Sequence, residues 1–308
     1  MTALFDIVLL LLVLAVAFAV VSVRDAQTAV VGFIAFGLLL ALAWVRLSSV
    51  DVALTEAAIG GGATGVLLLR GIARLRNGKG QPRGRALHIG AATVSAGFAA
   101  AIAGAVLHAP DPAPTLAPAA MEHIAALGLG NPVSAVLFGY RALDTLLEKI
   151  VVVLALLGVW SLAPDALASG RPDLRGAALP SDTLAFLART LTPFGLLFGI
   201  YLAWTGADHP GGTFQAGAVL AAMWLLVLMA GLREPPETRN RLLRGALMLG
   251  PAAFLAAGFA GIWLAGAFLA FPPGAAKPII VLLEIPLTLS IALALALLVA
   301  GPAQRAPR

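Results

Sequence analysis

Residues 3–23 read ALFDIVLLLLVLAVAFAVVSV, an unbroken run of apolar and small residues with one charge, Asp6, near its start. A helix that crosses a bilayer needs about 20 such residues in succession, whereas a helix of a soluble core is striped, apolar on one face and polar on the other. The run is apolar on every face, so it reads as a spanning helix. Asp6 stands where a cleavable secretory signal would carry basic residues, and the segment is therefore expected to be retained. Working outward from it, similar runs bounded by charge, proline or glycine recur at residues 29–45, 50–69, 87–107, 144–162, 191–204, 212–232, 246–269 and 278–300. Together they predict an all-α integral membrane protein with about nine transmembrane helices.

Composition agrees. Of 308 residues, 60% are hydrophobic and 11% charged, and the mean hydropathy is +0.98. A soluble domain carries about a quarter charged residues, so no sizeable soluble domain fits. Cysteine is absent, which excludes disulfide frameworks, thiolate metal sites and cysteine nucleophiles. The net charge of +5 is read as topology and not as nucleic-acid affinity. No P-loop, HExxH or GxSxG motif occurs, so the chain is not expected to be an enzyme, and neither a cofactor nor a metal is expected.

Orientation follows from the basic residues. The loop after the third span holds Arg70, Arg74, Arg76, Lys79, Arg83 and Arg85, and the positive-inside rule places it in the cytoplasm. That puts the amino terminus outside and the carboxyl terminus inside. Arg24, Arg171, Arg175, Arg189, Arg233, Arg239, Arg241, Arg244, Arg305 and Arg308 then also fall inside, and only Arg46, Arg141 and Lys277 fall outside. Between His108 and Arg141 a proline-rich stretch precedes Asn131-Pro132, a helix-start signature, and predicts an outside-facing surface helix. Residues 163–188, with Pro164, Gly170, Pro172 and Pro180, read as a cytoplasmic linker.

The informative residues are the acids that interrupt the spans, because a charge at the centre of a spanning helix costs about 2.5–3.5 kcal/mol on insertion scales. Asp51 follows Ser48 at capping-box spacing, so it reads either as a helix cap or as a pathway group. Glu56 lies five residues further on, about 7.5 Å along the axis and beyond any capping role; it is expected to be functional, with Gly60-Gly61-Gly62 admitting a neighbouring helix closely. Asp144 and Glu148 share a helical face with Arg141, which leaves Asp144 either an anchoring ion pair or a pathway acid. Lys149 is about 100° round the helix from Glu148, so its partner is expected on a neighbouring helix or chain. His209 lies in Asp208-His209-Pro210-Gly211-Gly212, ahead of a helix start where backbone amides are available. Glu284, two residues before Pro286, sits inside the last span.

Three of these clusters resemble, in order, membrane modules of the Mrp-type cation/proton antiporters and the related membrane-bound hydrogenases. Asp51-Val-Ala-Leu-Thr-Glu56-Ala-Ala-Ile-Gly60 is similar to the MbhD-type signature. Tyr140-Arg141-Ala-Leu-Asp144-Thr145-Leu-Leu-Glu148 resembles the MbhE-type signature, with Leu147 where that family has glycine. Gly206 to Gly217, with Pro210-Gly211-Gly212 and Phe214-Gln215-Ala216-Gly217, resembles the MnhB/MrpB-type module, with Ala207 in place of the usual histidine. The resemblance implies three modules, at residues 1–80, 81–170 (two helices and an outside-facing surface segment) and 171–308. It also implies an accessory subunit of a multisubunit complex in the bacterial inner membrane, partnered by large antiporter-like subunits. Sodium or potassium would be exchanged for protons along polar groups drawn from Glu56, Asp51, Asp144, Glu148, Lys149, Glu284 and His209. Two other readings stay open: a membrane-arm subunit of a redox-driven pump, and a structural scaffold with its acids in static salt bridges.

Overall fold

The computed structural model describes residues 2–75, 84–112, 114–174 and 181–306. Arg76, Lys79, Arg83, Arg175 and Arg308, used above to orient the chain, lie outside the described residues, as do residues 175–180 of the expected linker.

Every apolar run is helical. Helices α1 (Thr2–Ser22) and α2 (Ala26–Arg46) form an antiparallel hairpin, with Asp25 capping α2 through the Thr28 amide. Helix α3 (Val50–Thr55) passes through a π-helical stretch, Glu56–Ala63, into α4 (Thr64–Leu75). Helix α5 (Arg85–Leu107) follows, then the short α6 (Ala117–Ile124) and α7 (Pro132–Ala135), a second π-helical stretch Val136–Tyr140, and α8 (Ala142–Trp160). The carboxyl-terminal half contains α9 (Asp182–Thr205), α10 (Thr213–Met229), α11 (Arg241–Ala265) and α12 (Ala276–Ala300). Among the described residues, seven segments are long and apolar enough to cross a membrane: Ala3–Ser22, Ala26–Arg46, Val50–Ala73, Arg85–Leu107, Asp182–Thr205, Arg241–Ala265 and Ala276–Ala300. Two expected spans differ from these for local reasons. Helix α10 has 17 residues, and α8 carries Asp144, Glu148 and Lys149 in its first half. The chain is a multi-pass helical membrane protein.

Helix α12 is the centre of the packing, flanked by α8, α10 and α11. Phe138, Phe254, Ile280 and Leu287 form its buried core, Phe138 and Phe254 meeting edge to face at 5.8 Å. Glycine sets two of the close approaches. A Cβ at Gly37 would lie 2.9 Å from the Gly61 backbone, so α2 crosses the first π-helical stretch at van der Waals limit. A Cβ at Gly250 would lie 3.0 Å from the Pro286 carbonyl and 2.8 Å from Ser290, so α11 lies directly on α12. Helix α5 is the opposite case: apart from the partly covered Gly104, its described side chains are exposed.

One expectation about the connections needs correction, and another gains detail. The segment before α8 is not simply a surface helix. Helix α6 is largely exposed, but α7 and the second π-helical stretch bury Ser134, Ala135 and Phe138 among α8, α11 and α12. Asn131 does start α7 as its motif predicts, accepting from the Val133 amide. The linker is anchored as well. Strand β1 (Arg171–Pro172) pairs antiparallel with β2 (Ala303–Arg305), Arg171 bridges Glu234 and Glu237, Arg305 bridges Asp173, and Thr238 donates to the carbonyl of Ala168 at 2.6 Å. Backbone groups of the linker find partners in strand β2 and in the α10–α11 turn, where Thr238 donates to the carbonyls of Ala168 and Gly170.

Candidate functional site

The site begins with the turn between α9 and α10. Gly211 and Gly212 have φ of +155° and +111°, a path open to glycine, and Gly212 donates back to the Leu202 carbonyl at 2.9 Å. This frees the Gly211 amide to point at α3, where it donates to Asp51 Oδ1 at 2.9 Å. Asp51 is therefore not the helix cap that its spacing to Ser48 suggested. The cap position of α3 is Ser49, without a side-chain bond, and the Asp51 carboxylate is taken by a loop 160 residues away. Asn131, 3% exposed, completes the knot. Its Nδ2 faces the carbonyls of Gly206 (3.2 Å) and His209 (3.0 Å) and reaches Asp51 Oδ1 at 3.4 Å, while Ser134 donates to Gly206 at 2.6 Å. Gln215, on the first turn of α10, donates to Thr55 Oγ1 at 3.1 Å and to the Asp51 carbonyl at 3.3 Å. Segments from all three parts of the sequence are tied together here.

Behind this knot is a cavity of about 300 Å³, lined by Asp51, Thr55, Glu148, Lys149, Gln215 and Glu284 among others. Lys149 and Glu284 enter it from α8 and α12, each roughly 10–12 Å from its helix start at 1.5 Å per residue. Both are buried, at 4% and 3% exposure. The Lys149 ammonium lies 3.9 Å from the centroid of the Phe214 ring and 3.6 Å from Glu148 Oε2, a desolvated cation–π contact beside an ion pair. The partner from a neighbouring helix is thus the aromatic face of Phe214 on α10, whereas the acid beside it is Glu148 of the same helix, which the separation of about 100° had argued against. Among the described residues, Glu284 Oε2 is buried without a hydrogen-bond partner, and so is Thr288 Oγ1 one turn further along α12. A carboxylic oxygen left in that state costs free energy unless something mobile, a proton or a cation, completes it.

The remaining sequence candidates lie elsewhere. Glu56 is not among the residues lining the cavity. It begins the π-helical stretch with its carboxylate folded over Gly60, and its Oε1 would stand 3.4 Å from a Cβ at Gly37 of α2. Asp144 forms an exposed ion pair with Arg141 at 2.6 Å, the anchoring alternative read from the i, i+3 spacing. His209 is exposed and contributes its carbonyl to Asn131. Asp208 pairs with Lys277 at 2.7 Å, and that ammonium, with the Gly130 amide, holds its carboxyl below the ordinary value of 3.8. Sequence reasoning missed Gln215, Asn131 and Phe214 as site residues. The available signal was polarity at depth: an amide side chain one turn into an apolar helix needs a partner.

Residues 11–77 match the MbhD family model, which describes a component of MBH, and residues 183–302 match the model of a domain related to the MnhB subunit of Na+/H+ antiporter. A Methanocaldococcus jannaschii protein, MJ1307, is 31% identical over 154 residues, an alignment covering 45% of this chain and 59% of that protein's length. Among solved structures, the fold is similar to a chain of the Mrp complex from Dietzia sp. DQ12-45-1b, with a TM-score of 0.76 and 23% identity over 98% of this chain and 35% of that one. It is also similar to a chain of the archaeal membrane-bound sulfane sulfur reductase, with a TM-score of 0.57 and 24% identity over 70% of this chain and 96% of that one. With one domain of the MbhD family followed by one of the MnhB-related family, the chain belongs to the Mrp/MBH type as a fused subunit.

Proposed function

We propose that this chain is a membrane subunit of a multisubunit monovalent cation (Na+ or K+)/proton antiporter, lending intramembrane acids to an ion or proton pathway and docking large antiporter-like subunits. The observation that carries the reading is the cavity in which Asp51, Glu148, Lys149 and Glu284 converge from three separate parts of the sequence. A scaffold gains nothing from an unpartnered carboxylic oxygen at bilayer depth, whereas a relay requires a group that exchanges partners. The description of the MnhB-related family, with its Na+/H+ antiporter, supports the ion chemistry. No covalent bond is made or broken in such a cycle, so the chain works as a conduit and needs no cofactor. Within this proposal nine helices cross the inner membrane of a bacterium, amino terminus outside, as modules 1–80, 81–170 and 171–308.

Asp51, Glu148, Lys149 and Glu284 are the pathway groups. Glu56 and Asp144, away from the cavity lining, act by packing and anchoring, and His209 by its backbone. The test is cation-dependent proton flux in inverted vesicles carrying the whole complex: Glu284→Gln is expected to lower it at least tenfold while the subunits still co-purify. The match to the MbhD family favours one second reading, an arm of a redox-driven pump. Co-purification of a redox protein, with flux that depends on an electron donor, would select it.

A further inference from the structure

Most charge in this cavity is negative, from Asp51, Glu148 and Glu284, and the cation among these groups is covalently part of the chain. Asp51 is already held by the Gly211 amide and Asn131. Glu148 and Glu284 are not held in this way. The Lys149 ammonium is 3.6 Å from Glu148, longer than a direct hydrogen bond, and rests instead on the face of Phe214 at 3.9 Å. Glu284, at 3% exposure, keeps Oε2 unpartnered on the same cavity. Carboxylate and hydroxyl oxygens around a space of about 300 Å³ are hard donors, the class of ligand that suits a hard cation.

We propose that Lys149 is a tethered occupant of a monovalent-cation seat formed with Glu148 and Glu284, parked on Phe214, and that it keeps metal ions out of this cavity so that protons alone pass. The cation-exchanging step then takes place on another chain of the complex. Replacing Lys149 by a neutral side chain empties the seat and turns it into a Na+ site. The inference deepens the transport reading and rests on it, but its test reads binding and not flux. If Glu284→Gln left the flux of the complex unchanged, the transport role would fail while the binding result below would stand.

The experiment is thermal unfolding of the purified full-length protein in mild detergent, titrated with NaCl against choline chloride at constant ionic strength. Lys149→Met is expected to gain a saturable rise in Tm of roughly 5 °C once Na+ exceeds its Kd about a hundredfold. The double variant Lys149→Met/Glu284→Gln loses that rise, and wild type and Lys149→Arg unfold alike in both salts. A Lys149→Met protein indifferent to Na+ overturns the proposal. So does a saturable rise in wild type that Glu284→Gln removes. Where Lys149→Met does not fold, Lys149→Gln takes its place: a saturable, Glu284-dependent rise with Na+ upholds the seat, and indifference to Na+ overturns it.

Discussion

Helices α12 and α5 are both long and apolar, yet 56% of the most apolar window of α12 is buried inside the chain and none of that of α5. Both are apolar enough to span, α5 through alanine and α12 through leucine with alanine. What differs is the neighbourhood. Helix α12 meets matching glycines and aromatics on α8, α10 and α11, and it carries the charge that the cavity uses. Helix α5 meets open space at Gly90, Gly97 and Gly104, so its surface is left to lipid or to other subunits. In a membrane the apolar run alone does not say which, because lipid tails are as apolar as leucine. Apolarity selects the spanning helices, and polar residues with close-packing glycines decide which of them enclose a site.

The largest expected effect tests the buried side. Phe254 is fully buried, so Phe254→Ala should cost about 3–5 kcal/mol and show as a drop in Tm or loss of folded protein in detergent. Phe98→Ala on α5, at 69% exposure, should stay within about 0.5 kcal/mol; equal losses would break the contrast. A second pair sharpens it. Gly250→Leu forces a side chain into Pro286 and Ser290 and should cost about 3 kcal/mol, whereas Gly97→Leu leaves the isolated chain unaffected. If Gly97→Leu nonetheless reduces recovery of co-purifying subunits, α5 faces protein and not lipid.

Smaller effects are expected at the polar knot. Asn131→Ala removes the contacts to Gly206, His209 and Asp51 and should cost about 2–3 kcal/mol, read as earlier unfolding and loosened protection of the Gly211 amide. Least affected is Lys277→Ala, where an exposed pair contributes below about 1 kcal/mol. Its sign with pH is fixed. The folded-state value of Asp208 is depressed, so the pair's contribution is present above pH about 3.8 and is lost as pH falls below it. An acid titration of Lys277→Ala should lack that component.

Most of the fold was legible in the sequence because span length and apolarity are local properties. The site was legible only in pieces. Lys149 and Glu284 were marked by charge within apolar runs, but nothing local reveals that they share a cavity with Asp51. The Ser48–Asp51 spacing misled for the same reason: a capping box is a local motif, and the Gly211 amide competes for that carboxylate from the other end of the chain. Glu56 was marked by depth, yet the π-helical stretch that it begins, with Gly60, Gly61 and Gly62 in its second half, sets it against α2. Arg46, Arg141 and Lys277, the basic residues left on the outer end by the orientation rule, prove to be paired with Asp6, Asp144 and Asp208. Each is offset by an acid that a count of Lys and Arg does not register.

The central claim is that Glu284 is a working group of an ion pathway and not a buried strut. Cation-dependent proton flux in inverted vesicles, measured for the complete complex carrying Glu284→Gln, tests it most directly. The account predicts at least a tenfold loss with every subunit still co-purifying; wild-type flux from the fully assembled variant would contradict it.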